Sequence, residues 1–504
     1  MIAMMEMEIT FMPVDIHLPY ARINDMLNQA GAKYFLTDSD GFDNIKVFKI
    51  QTDFSGDYVV NHAKACSEIA YIMFTSGTTG KPKGVAIKRC GLENFIEAIP
   101  DIIHFESGKK ITCFTKNSFD IFFVETLMAA HIGLNILLAD DEEVENGATL
   151  INMLSKADYT QMTPSRMIML WMIDKEFRFL NGLKAIMLGG EAMPNSLLIS
   201  LREKTKAEIY NMYGPVETTI WSSVARLTDC EEVNIGKPIK NTEIFILSEN
   251  GQILQDGKIG EIVIGGDGLA AGYVGDDELT EKKFIIIENG KRVYRTGDLG
   301  KINADGLLEC GGRMDSQVKI KGFRVELEEI ETCIAKCFDG LIAVCIYVKN
   351  ENTSELVACY KADRKISPSE FSEKLSEYLP YYMLPNKYVQ VNDIPYTLSY
   401  KADRRAMAAT YLEMQQEISE PKALDLEGKI YYIIAKKLGS SPEMVGYDVR
   451  LKDIGADSIN IIEMIVSLEE EFDIEFEDDM LTRNTFYYCG EICDYVKKLI
   501  KEQQ

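Results

Sequence analysis

The loop at residues 75–84, TSGTTGKPKG, combines glycines, hydroxyl side chains and two lysines directly after an apolar run. Glycine lets backbone N–H groups approach anionic oxygens, hydroxyls add hydrogen-bond donors, and lysine adds positive charge. The loop is not a Walker A motif, because Thr75 and Pro82 stand where that motif needs glycine and a hydroxyl residue. Its composition predicts phosphate binding, with an ordinary flexible turn as the alternative.

Three further segments could complete a nucleotide site. In NMYGPVETT, Tyr213 could stack on a base and Glu217 could hold Mg²⁺, which is often bound by one carboxylate together with phosphate oxygens. In YRTGDL, Asp298 could accept hydrogen bonds from both ribose hydroxyls. Residues 312–330 have the pattern of a basic β-hairpin that leads into a helix. Taken singly, each segment is also compatible with a structural turn or a solvated strand.

Composition excludes several classes of protein. A chain of 504 residues with 46% hydrophobic content is long enough for two to four domains. A net charge of -25 disfavours nonspecific binding to nucleic acid or anionic membranes. The eleven cysteines are scattered without a CxxC pair, which favours reduced thiols and a cytoplasmic location. The four histidines form no HxxxH pattern, so neither a histidine metal site nor a Ser/His triad is indicated.

Neither end of the chain nor its apolar stretches predict a membrane segment. The N-terminus carries Glu6 and Glu8 and lacks the basic region of a signal peptide. The longest apolar stretch, residues 121–139, is interrupted by Glu125, His131 and Asn135. This stretch is therefore predicted to be a buried helix that runs into a strand.

The segments with chemical potential lie among alternating apolar and amphipathic elements. Helix-like segments alternate with apolar runs, which predicts parallel α/β layers; the runs are residues 111–114, 135–138, 185–188 and 244–247. From about residue 231, short strands punctuated by glycine predict a β-rich subdomain, and a smaller α+β module follows to about residue 410. A polar stretch at residues 414–424 has the composition of a linker, and a helical module follows it.

The order and wording of the four segments resemble the adenylate-forming superfamily, in particular the adenylation domains of nonribosomal peptide synthetases. Near the C-terminus, LKDIGADS and the amphipathic run after it resemble a peptidyl carrier protein. The resemblance covers nearly the whole chain and implies a multidomain α/β fold. Its parts are an adenylation core with a β-rich subdomain at 1–314, a small α+β subdomain at 315–412, a linker at 413–424 and a four-helix carrier bundle at 425–500.

The resemblance also implies a reaction: ATP-dependent activation of an amino acid as an aminoacyl adenylate, followed by thioester formation on 4′-phosphopantetheine carried by the same chain. Matched by position, Lys401 is the catalytic lysine, Glu217 the Mg²⁺ ligand, Asp315 the hinge and Ser458 the phosphopantetheine attachment residue. The remaining nucleotide-binding residues implied are Thr75, Ser76, Gly77, Thr78, Thr79, Gly80 and Lys83 for phosphate, Asn211 and Tyr213 for adenine, and Asp298 and Arg313 for ribose. A surface lysine is the alternative for Lys401, and a helix-capping serine the alternative for Ser458.

The residues implied to line the amino-acid pocket predict a small substrate. They are Asp120, Ile121, Val124, Ser165, Met187, Gly189, Met212, Ile220, Trp221 and Lys401. The carboxylate of Asp120 would pair with the α-ammonium group, since an aryl or fatty acid would leave that buried charge without a partner. The bulky apolar members leave little space for a side chain, and the lining resembles that of glycine-activating domains. Glycine is therefore the predicted substrate, with alanine next.

Three departures from the family pattern qualify this prediction. The first residues resemble a mid-domain segment, so the N-terminal part of the core is expected to be missing. Tyr400 stands where a small residue is common, and Lys321 replaces a common arginine. The alternatives are an impaired carrier or scaffold protein and a related D-alanine or acyl-carrier ligase. The partners implied are a phosphopantetheinyl transferase and downstream condensation or other synthetase domains, because the sequence has no condensation or thioesterase signature.

Overall fold

The computed structural model describes residues 2–37, 46–48, 67–77, 81–320, 322–349, 354–362, 364–396, 402–417, 425–438, 445–454, 456, 458–477 and 486–502. The predicted residues Thr78, Thr79, Gly80, Lys321, Tyr400 and Lys401 lie outside these ranges, as does the part of the predicted linker at residues 418–424. All structural statements below concern the described residues.

The N-terminal half alternates strands and helices. Its helices are α1 Ile2–Glu6, α2 Tyr20–Gln29, α3 Arg89–Ala98, α4 Ala129–Ile132, α5 Asp141–Glu145, α6 Gly147–Leu154, α7 Pro164–Ile173 and α8 Asn195–Lys204. Its strands are β1 Tyr34–Leu36, β2 Lys46–Phe48, β3 Ile69–Thr75, β4 Lys83–Lys88, β5 Lys110–Cys113, β6 Asn135–Leu138, β7 Tyr159–Met162, β8 Ala185–Gly189, β9 Glu208–Tyr213, β10 Ser223–Arg226 and β11 Lys237–Pro238.

A seven-stranded sheet is the centre of this half, in the order β11-β10-β9-β8-β7-β5-β6. The five strands β5, β6, β7, β8 and β9 pair in parallel, and β10 and β11 add an antiparallel edge beside β9. Every residue of β7 and β8 is buried, which is typical of parallel strands covered on both faces. Helix α7 begins directly after β7 because the Thr163 side chain accepts a hydrogen bond from the Arg166 N–H and Pro164 fits the first turn.

The predicted helix within residues 121–139 has an irregular start. A π-helical turn at Val124–Met128 continues into α4, and β6 follows. Glu125, which interrupts the apolar pattern, is buried in this turn and accepts hydrogen bonds from the Phe114 N–H and from the Thr115 N–H and hydroxyl. The prediction of a buried helix running into a strand is confirmed.

A β-rich region follows, as the glycine-punctuated sequence predicts. It contains β12 Thr242–Leu247, β13 Gly260–Gly266, β14 Gly272–Tyr273, α9 Asp277–Lys283, β15 Phe284–Ile286, β16 Arg292–Ile302 and β17 Leu308–Arg313. Strand β14 pairs with β4 beside β3, while the other strands form one antiparallel sheet around β16. The apolar run at residues 244–247 belongs to this antiparallel sheet, so its assignment to the parallel layers was wrong. Its periodicity alone could not distinguish a parallel strand from an antiparallel one.

The small α+β region begins with a hairpin. Its elements are β18 Gln317–Ile320, β19 Phe323–Glu326, α10 Leu327–Cys337, β20 Ile342–Lys349, β21 Ser354–Lys361, α11 Pro368–Leu375, β22 Lys387–Gln390 and α12 Arg404–Glu417. Strands β20, β21 and β22 form a mixed sheet, and α10 and α12 pack beside β20. Helix α12 continues through residues 413–417, which the sequence assigned to the linker.

The C-terminal region is helical. Helices α13 Leu426–Leu438, α14 Ser458–Phe472 and α15 Cys489–Glu502 enclose a separate apolar cluster, and a 3-10 turn lies at Leu451–Ile454. None of the described helices of the chain combines the length and the apolar composition needed to cross a membrane. The predicted α/β multidomain class with a C-terminal helical carrier region is confirmed.

Candidate active site

The predicted phosphate loop connects β3 and β4, and its donors face groups of the small subdomain. The Ser76 hydroxyl donates to the Arg324 carbonyl at 2.7 Å, and the Gly77 N–H donates to the Glu329 carboxylate at 2.9 Å. Lys83 Nζ lies 3.6 Å from Glu326 Oε1. The sequence predicts that the Gly77 N–H binds phosphate, but here it donates to the Glu329 carboxylate. In this arrangement no phosphate can bind at the Gly77 N–H.

The predicted ribose site is a cluster of three side chains joined by hydrogen bonds. Asp298 and Arg313 are direct partners in the pairing of β16 with β17, and Arg313 Nη1 donates to Asp298 Oδ1 at 2.7 Å. The Tyr213 hydroxyl donates to Asp298 Oδ2 at 2.6 Å. Each carboxylate oxygen has a second lone pair, so Asp298 can still accept from ribose hydroxyls. The neighbouring Asn211 is buried and donates to the Asn234 carbonyl at 2.8 Å.

The predicted hinge residue Asp315 is bound back to this cluster. Arg313 donates to both of its carboxylate oxygens, at 2.6 and 2.8 Å. Gly297 has a φ of +75°, and a Cβ there would lie 2.9 Å from Arg313 Nη2 and 3.0 Å from Asp315 Oδ2. Glycine is required at this position both for its backbone conformation and for the close approach of the ion pair.

Glu217, the predicted Mg²⁺ ligand, is buried and already paired. Arg324 Nη1 lies 2.8 Å from each of its carboxylate oxygens, and the Tyr273 hydroxyl donates to Oε1 at 2.7 Å. Burial acts to raise the pKa of Glu217, but Arg324 and Tyr273 outweigh burial and lower the pKa to about 2. An ionised carboxylate is a suitable ligand for Mg²⁺, but the Arg324 guanidinium lies where the metal ion would have to bind. In this arrangement the residues do not fit the metal, and among the described residues no cluster of acidic, histidine or cysteine side chains forms another metal site.

Arg324 reaches Glu217 because the β18–β19 hairpin enters the cleft beside the core. Its turn residue Gly322 has a φ of +86°, and a Cβ there would lie 2.7 Å from Thr163 Cγ2. The Gly322 N–H donates to the Glu191 carboxylate, which also accepts from the backbone N–H of Ser165. Phe323 stacks on Tyr382 with the ring centroids 3.9 Å apart. The hairpin is thus fixed to the core by a hydrogen bond at its turn and by ion pairing at Arg324.

Most residues of the predicted substrate pocket come together in one buried cluster. Its members from the prediction are Ile121, Val124, Met187, Met212, Ile220 and Trp221. A Cβ on Gly189 would lie 2.6 Å from the Trp221 ring, so the indole occupies the space beside that glycine. Thr219 and Ile220 have left-handed backbones, with φ of +64° and +66°, and this strained turn precedes Trp221.

Asp120 directly precedes Ile121, a member of this cluster, and is also buried. Burial raises the pKa of Asp120 to about 7, and the Ile121 N–H and the Lys319 ammonium only partly oppose it. Ser165 is not a member of the cluster; its hydroxyl donates to Glu191 at 2.5 Å, next to the hairpin turn. A carboxyl group poised near neutral pH thus stands beside an apolar wall.

The carrier region approaches the core through α14, whose first residue is Ser458. Helix α14 contacts α7, and Lys175 Nζ, just beyond α7, lies 4.0 Å from Glu470 Oε1. The side chains of this ion pair are mostly exposed.

Two parts of the chain match known protein families. Residues 1–274 match the family of AMP-binding enzymes, and residues 429–486 match the phosphopantetheine attachment site. The chain belongs to the AMP-binding enzyme family. It also carries a phosphopantetheine attachment domain, so the family recognised in the sequence is confirmed.

Relatives of this AMP-binding chain include multidomain synthetases. Gramicidin S synthase 2 of Aneurinibacillus migulanus is 30% identical over 481 residues, which are 92% of this chain and 11% of that protein. The chain therefore spans about a tenth of the length of this relative. The fold matches that of holo-PA1221, an NRPS protein containing adenylation and PCP domains, with a TM-score of 0.81, 23% identity and coverage of 99% of this chain and 86% of that one. It also matches holo-AB3403, a four-domain nonribosomal peptide synthetase bound to AMP and glycine, with a TM-score of 0.56, 28% identity and coverage of 98% and 37%.

Four residues of the candidate site were not predicted from the sequence. Arg324, Glu329 and Glu191 connect the hairpin or α10 to the core, and Gln161 lies inside the substrate cluster. Arg324 and Glu329 belong to a segment quoted for its pattern, but nothing in that pattern distinguishes them from a solvated face. Every residue of β7 is buried, and the long polar side chain of Gln161 in such a strand is the signal that could have found it.

Proposed function

We propose that the chain activates a small amino acid, glycine preferred and alanine next, with ATP as an aminoacyl adenylate and transfers it to its own carrier domain. The observation that carries the proposal is the buried carboxyl of Asp120 beside the apolar cluster that contains Trp221. An α-ammonium group would pair with that carboxyl, and the filled cluster would leave room for little more than a hydrogen or a methyl group. The similarity of this chain to holo-AB3403, a synthetase bound to AMP and glycine, supports the same class of substrate.

Adenylation requires residues that bind the adenosine and a cation that stabilises the transition state. Tyr213, Asp298 and Arg313 would hold the adenosine, since Asp298 keeps free acceptor capacity and lies beside the Tyr213 ring. Lys401, which lies outside the described residues, would stabilise the charge that develops when the substrate carboxylate attacks the α-phosphate and pyrophosphate leaves. The predicted binding of Mg²⁺ by Glu217 requires that Arg324 first leave the carboxylate.

Thioester formation fits the observed arrangement better than adenylation does. Phosphopantetheine attached to Ser458 would supply the thiol that accepts the aminoacyl group; the bond from the acyl carbon to the AMP oxygen would break, AMP would leave, and the thiol proton would pass to solvent. Ser458, at the start of a 15-residue helix, would carry its phosphodiester where unpaired N–H groups and the helix dipole favour an anion. The Glu329 carboxylate at the Gly77 N–H is compatible with AMP, which lacks β- and γ-phosphates, but not with ATP in the same place.

The residue roles, the domain boundaries and the partners belong to this proposal. The carrier would be charged with its cofactor by a phosphopantetheinyl transferase, and downstream condensation or other synthetase domains would use the thioester. The cytoplasmic location stays a prediction from the scattered cysteines.

The test is amino-acid-dependent ATP/pyrophosphate exchange with all twenty amino acids. We expect exchange dominated by glycine, lost in Lys401→Ala and retained in Lys365→Ala, which changes an exposed lysine of the same small subdomain. In a second assay, after treatment with phosphopantetheinyl transferase and coenzyme A, Ser458→Ala should exchange normally but acquire no labelled glycine. A preference for leucine or phenylalanine would overturn the small-pocket argument, and exchange with no amino acid would overturn adenylation itself.

A further inference from the structure

The two edges of the seven-stranded sheet differ in how they are protected against further pairing. Strand β11, Lys237–Pro238, forms one edge, and its lysine and proline both discourage the addition of another strand. Strand β6, Asn135–Leu138, forms the other edge and contains neither lysine nor proline. Its side chains Ile136 and Leu138 are 38% and 68% exposed. An edge strand with exposed apolar side chains is a site where another strand can pair.

The backbone of β6 offers hydrogen bonds on its outer side. The Asn135 N–H donates to the Lys109 carbonyl at 2.7 Å, and the Ala139 N–H donates to the Cys113 carbonyl at 2.9 Å. Backbone groups of successive residues in a strand point to opposite sides, so those of Ile136 and Leu138 point away from β5. Each of these two residues therefore presents one donor and one acceptor to a further strand.

The two ends of β6 carry opposite charges. At its amino end, Lys110 begins the neighbouring β5 and is exposed. The exposed Lys156 lies at the same end, because the Asp158 N–H, two residues later, donates to the Lys110 carbonyl at 2.9 Å. At the carboxyl end of β6, the exposed Asp141 and Glu142 begin α5. The edge is thus apolar in its middle, basic at one end and acidic at the other.

We propose that two copies of this chain associate through β6, as antiparallel edge strands related by a twofold axis at Leu137. In this register Ile136 of one copy lies opposite Leu138 of the other, and each such pair exchanges two backbone hydrogen bonds. The exposed apolar side chains meet their counterparts across the axis. The two seven-stranded sheets become one continuous sheet.

The charges favour a second copy in this orientation. Asp158 at the basic end lies 3.5 Å from Lys109, so Lys110 and Lys156 determine the charge of that end. Antiparallel pairing brings the basic end of each copy to the acidic start of α5 in the other, whereas parallel pairing would bring like charges together. At an ionic strength of about 0.15 M, salt screens the net charge of -25 beyond about 8 Å, while charges that meet at the interface still attract.

The first test compares Leu138→Lys with the control Ile259→Lys by sedimentation velocity. A four-residue edge buries less area than a stable dimer needs, so we expect a dissociation constant of about 10 to 100 µM for the parent chain. Leu138→Lys should weaken association by about tenfold or more, because a charge on an edge strand opposes pairing. Ile259, which is 69% exposed and lies outside the seven-stranded sheet, matches Leu138 in exposure, and its change to lysine should have no effect.

A second test uses the charges at the two ends. Lys110→Glu makes both ends acidic and Glu142→Lys makes both ends basic, so each variant should remain monomeric at about 100 µM. An equimolar mixture of the two variants should dimerise, because each acidic end then meets a basic end. Both changes affect exposed residues, so this test remains valid should Leu138→Lys not fold.

The outcomes decide the inference in either direction. A parent chain that stays monomeric at about 500 µM would overturn it and leave the edge to a strand of different sequence. A dimer that Leu138→Lys and Ile259→Lys weaken equally, or a mixture of the charge variants that stays monomeric, would also overturn it. Dimerisation that is lost in each charge variant and restored in their mixture would establish antiparallel pairing of β6.

Discussion

The substrate cluster and the nucleotide site differ in where their polar groups find partners. In the cluster, the Gln161 amide, the Ile121 carbonyl and the Trp221 indole satisfy one another within the N-terminal half. In the nucleotide site, Gly77 and Glu217 of the core bind Glu329 and Arg324 of the small subdomain. A cluster whose hydrogen bonds all lie within one subdomain can keep its shape through a reaction cycle. A site whose hydrogen-bonding partners come from another subdomain changes when that subdomain moves. We infer that the first region selects the substrate and the second changes from one half-reaction to the other.

The sharpest test of the selecting region is Asp120→Asn. An amide cannot neutralise the substrate ammonium in a buried site, so kcat/KM for the amino acid should fall by about 100-fold or more. The KM for ATP should change little, because the nucleotide residues are separate. Steady-state exchange kinetics measure both constants, and Asp174→Asn, another buried carboxylate of the core, is the control. Equal losses for ATP and amino acid would show that the two regions are not independent.

The changing region is tested by Arg324→Met. Its loss leaves the buried Glu217 carboxylate without its cation in the observed arrangement, which should disfavour that arrangement. We expect carrier loading to slow by about 10-fold to 100-fold while ATP/pyrophosphate exchange stays within about twofold. Single-turnover loading and exchange measured on the same preparation give the comparison.

Arg295→Met is the matched control for Arg324. Arg295 donates twice to Glu261, at 2.9 and 2.6 Å, inside the β-rich sheet and away from the hairpin. The control should affect neither reaction. If Arg324→Met slows exchange and loading by the same factor, the hairpin does not distinguish the half-reactions.

A smaller effect concerns stability and pH in the selecting region. An acid whose pKa is raised in the folded state contributes most stability at low pH and loses it as pH rises from its unfolded pKa to its folded pKa. For Asp120 this window runs from the ordinary value of 3.8 to about 7. Between pH 5 and pH 8 the free energy of unfolding of the wild-type chain should therefore fall by about 2 to 3 kcal/mol more than that of Asp120→Asn.

Thermal unfolding at several pH values measures this difference as a shift in Tm. The variant should gain Tm relative to wild type as pH rises from 5 to 8. Saturating glycine should reduce that gain, because the substrate ammonium stabilises the ionised carboxylate. A difference in Tm that is independent of pH would contradict the raised pKa.

The smallest effect is expected at the carrier contact. Lys175 and Glu470 are mostly exposed, and exposed ion pairs contribute little because water and salt screen them. Lys175→Ala should slow carrier loading by no more than about threefold and lose that effect at high salt. Loading rates at low and high ionic strength provide the measurement. A tenfold loss would mean that the carrier docks chiefly through this pair.

The sequence was most informative where chemistry is concentrated in a short segment. The loop at residues 75–84, the TGD turn and the GADS segment each keep their residues adjacent, so their types alone indicate phosphate, sugar and carrier chemistry. The pairing of Asp298 with Arg313 follows from a strand register that spans only residues 292–313. Local patterns also predicted the parallel strands, although the run at residues 244–247 has the same periodicity in an antiparallel sheet.

What the sequence alone determined is the family, the order of the domains and the residue types available to each site. Tertiary structure decided which of those residues meet: Glu217 with Arg324, Gly77 with Glu329, and Gln161 with both Ile121 and Trp221. These partners lie 40 to 252 positions apart in the chain. Buried hydrogen bonds and ion pairs of this kind depend on the packing of whole subdomains, and no local periodicity carries that information.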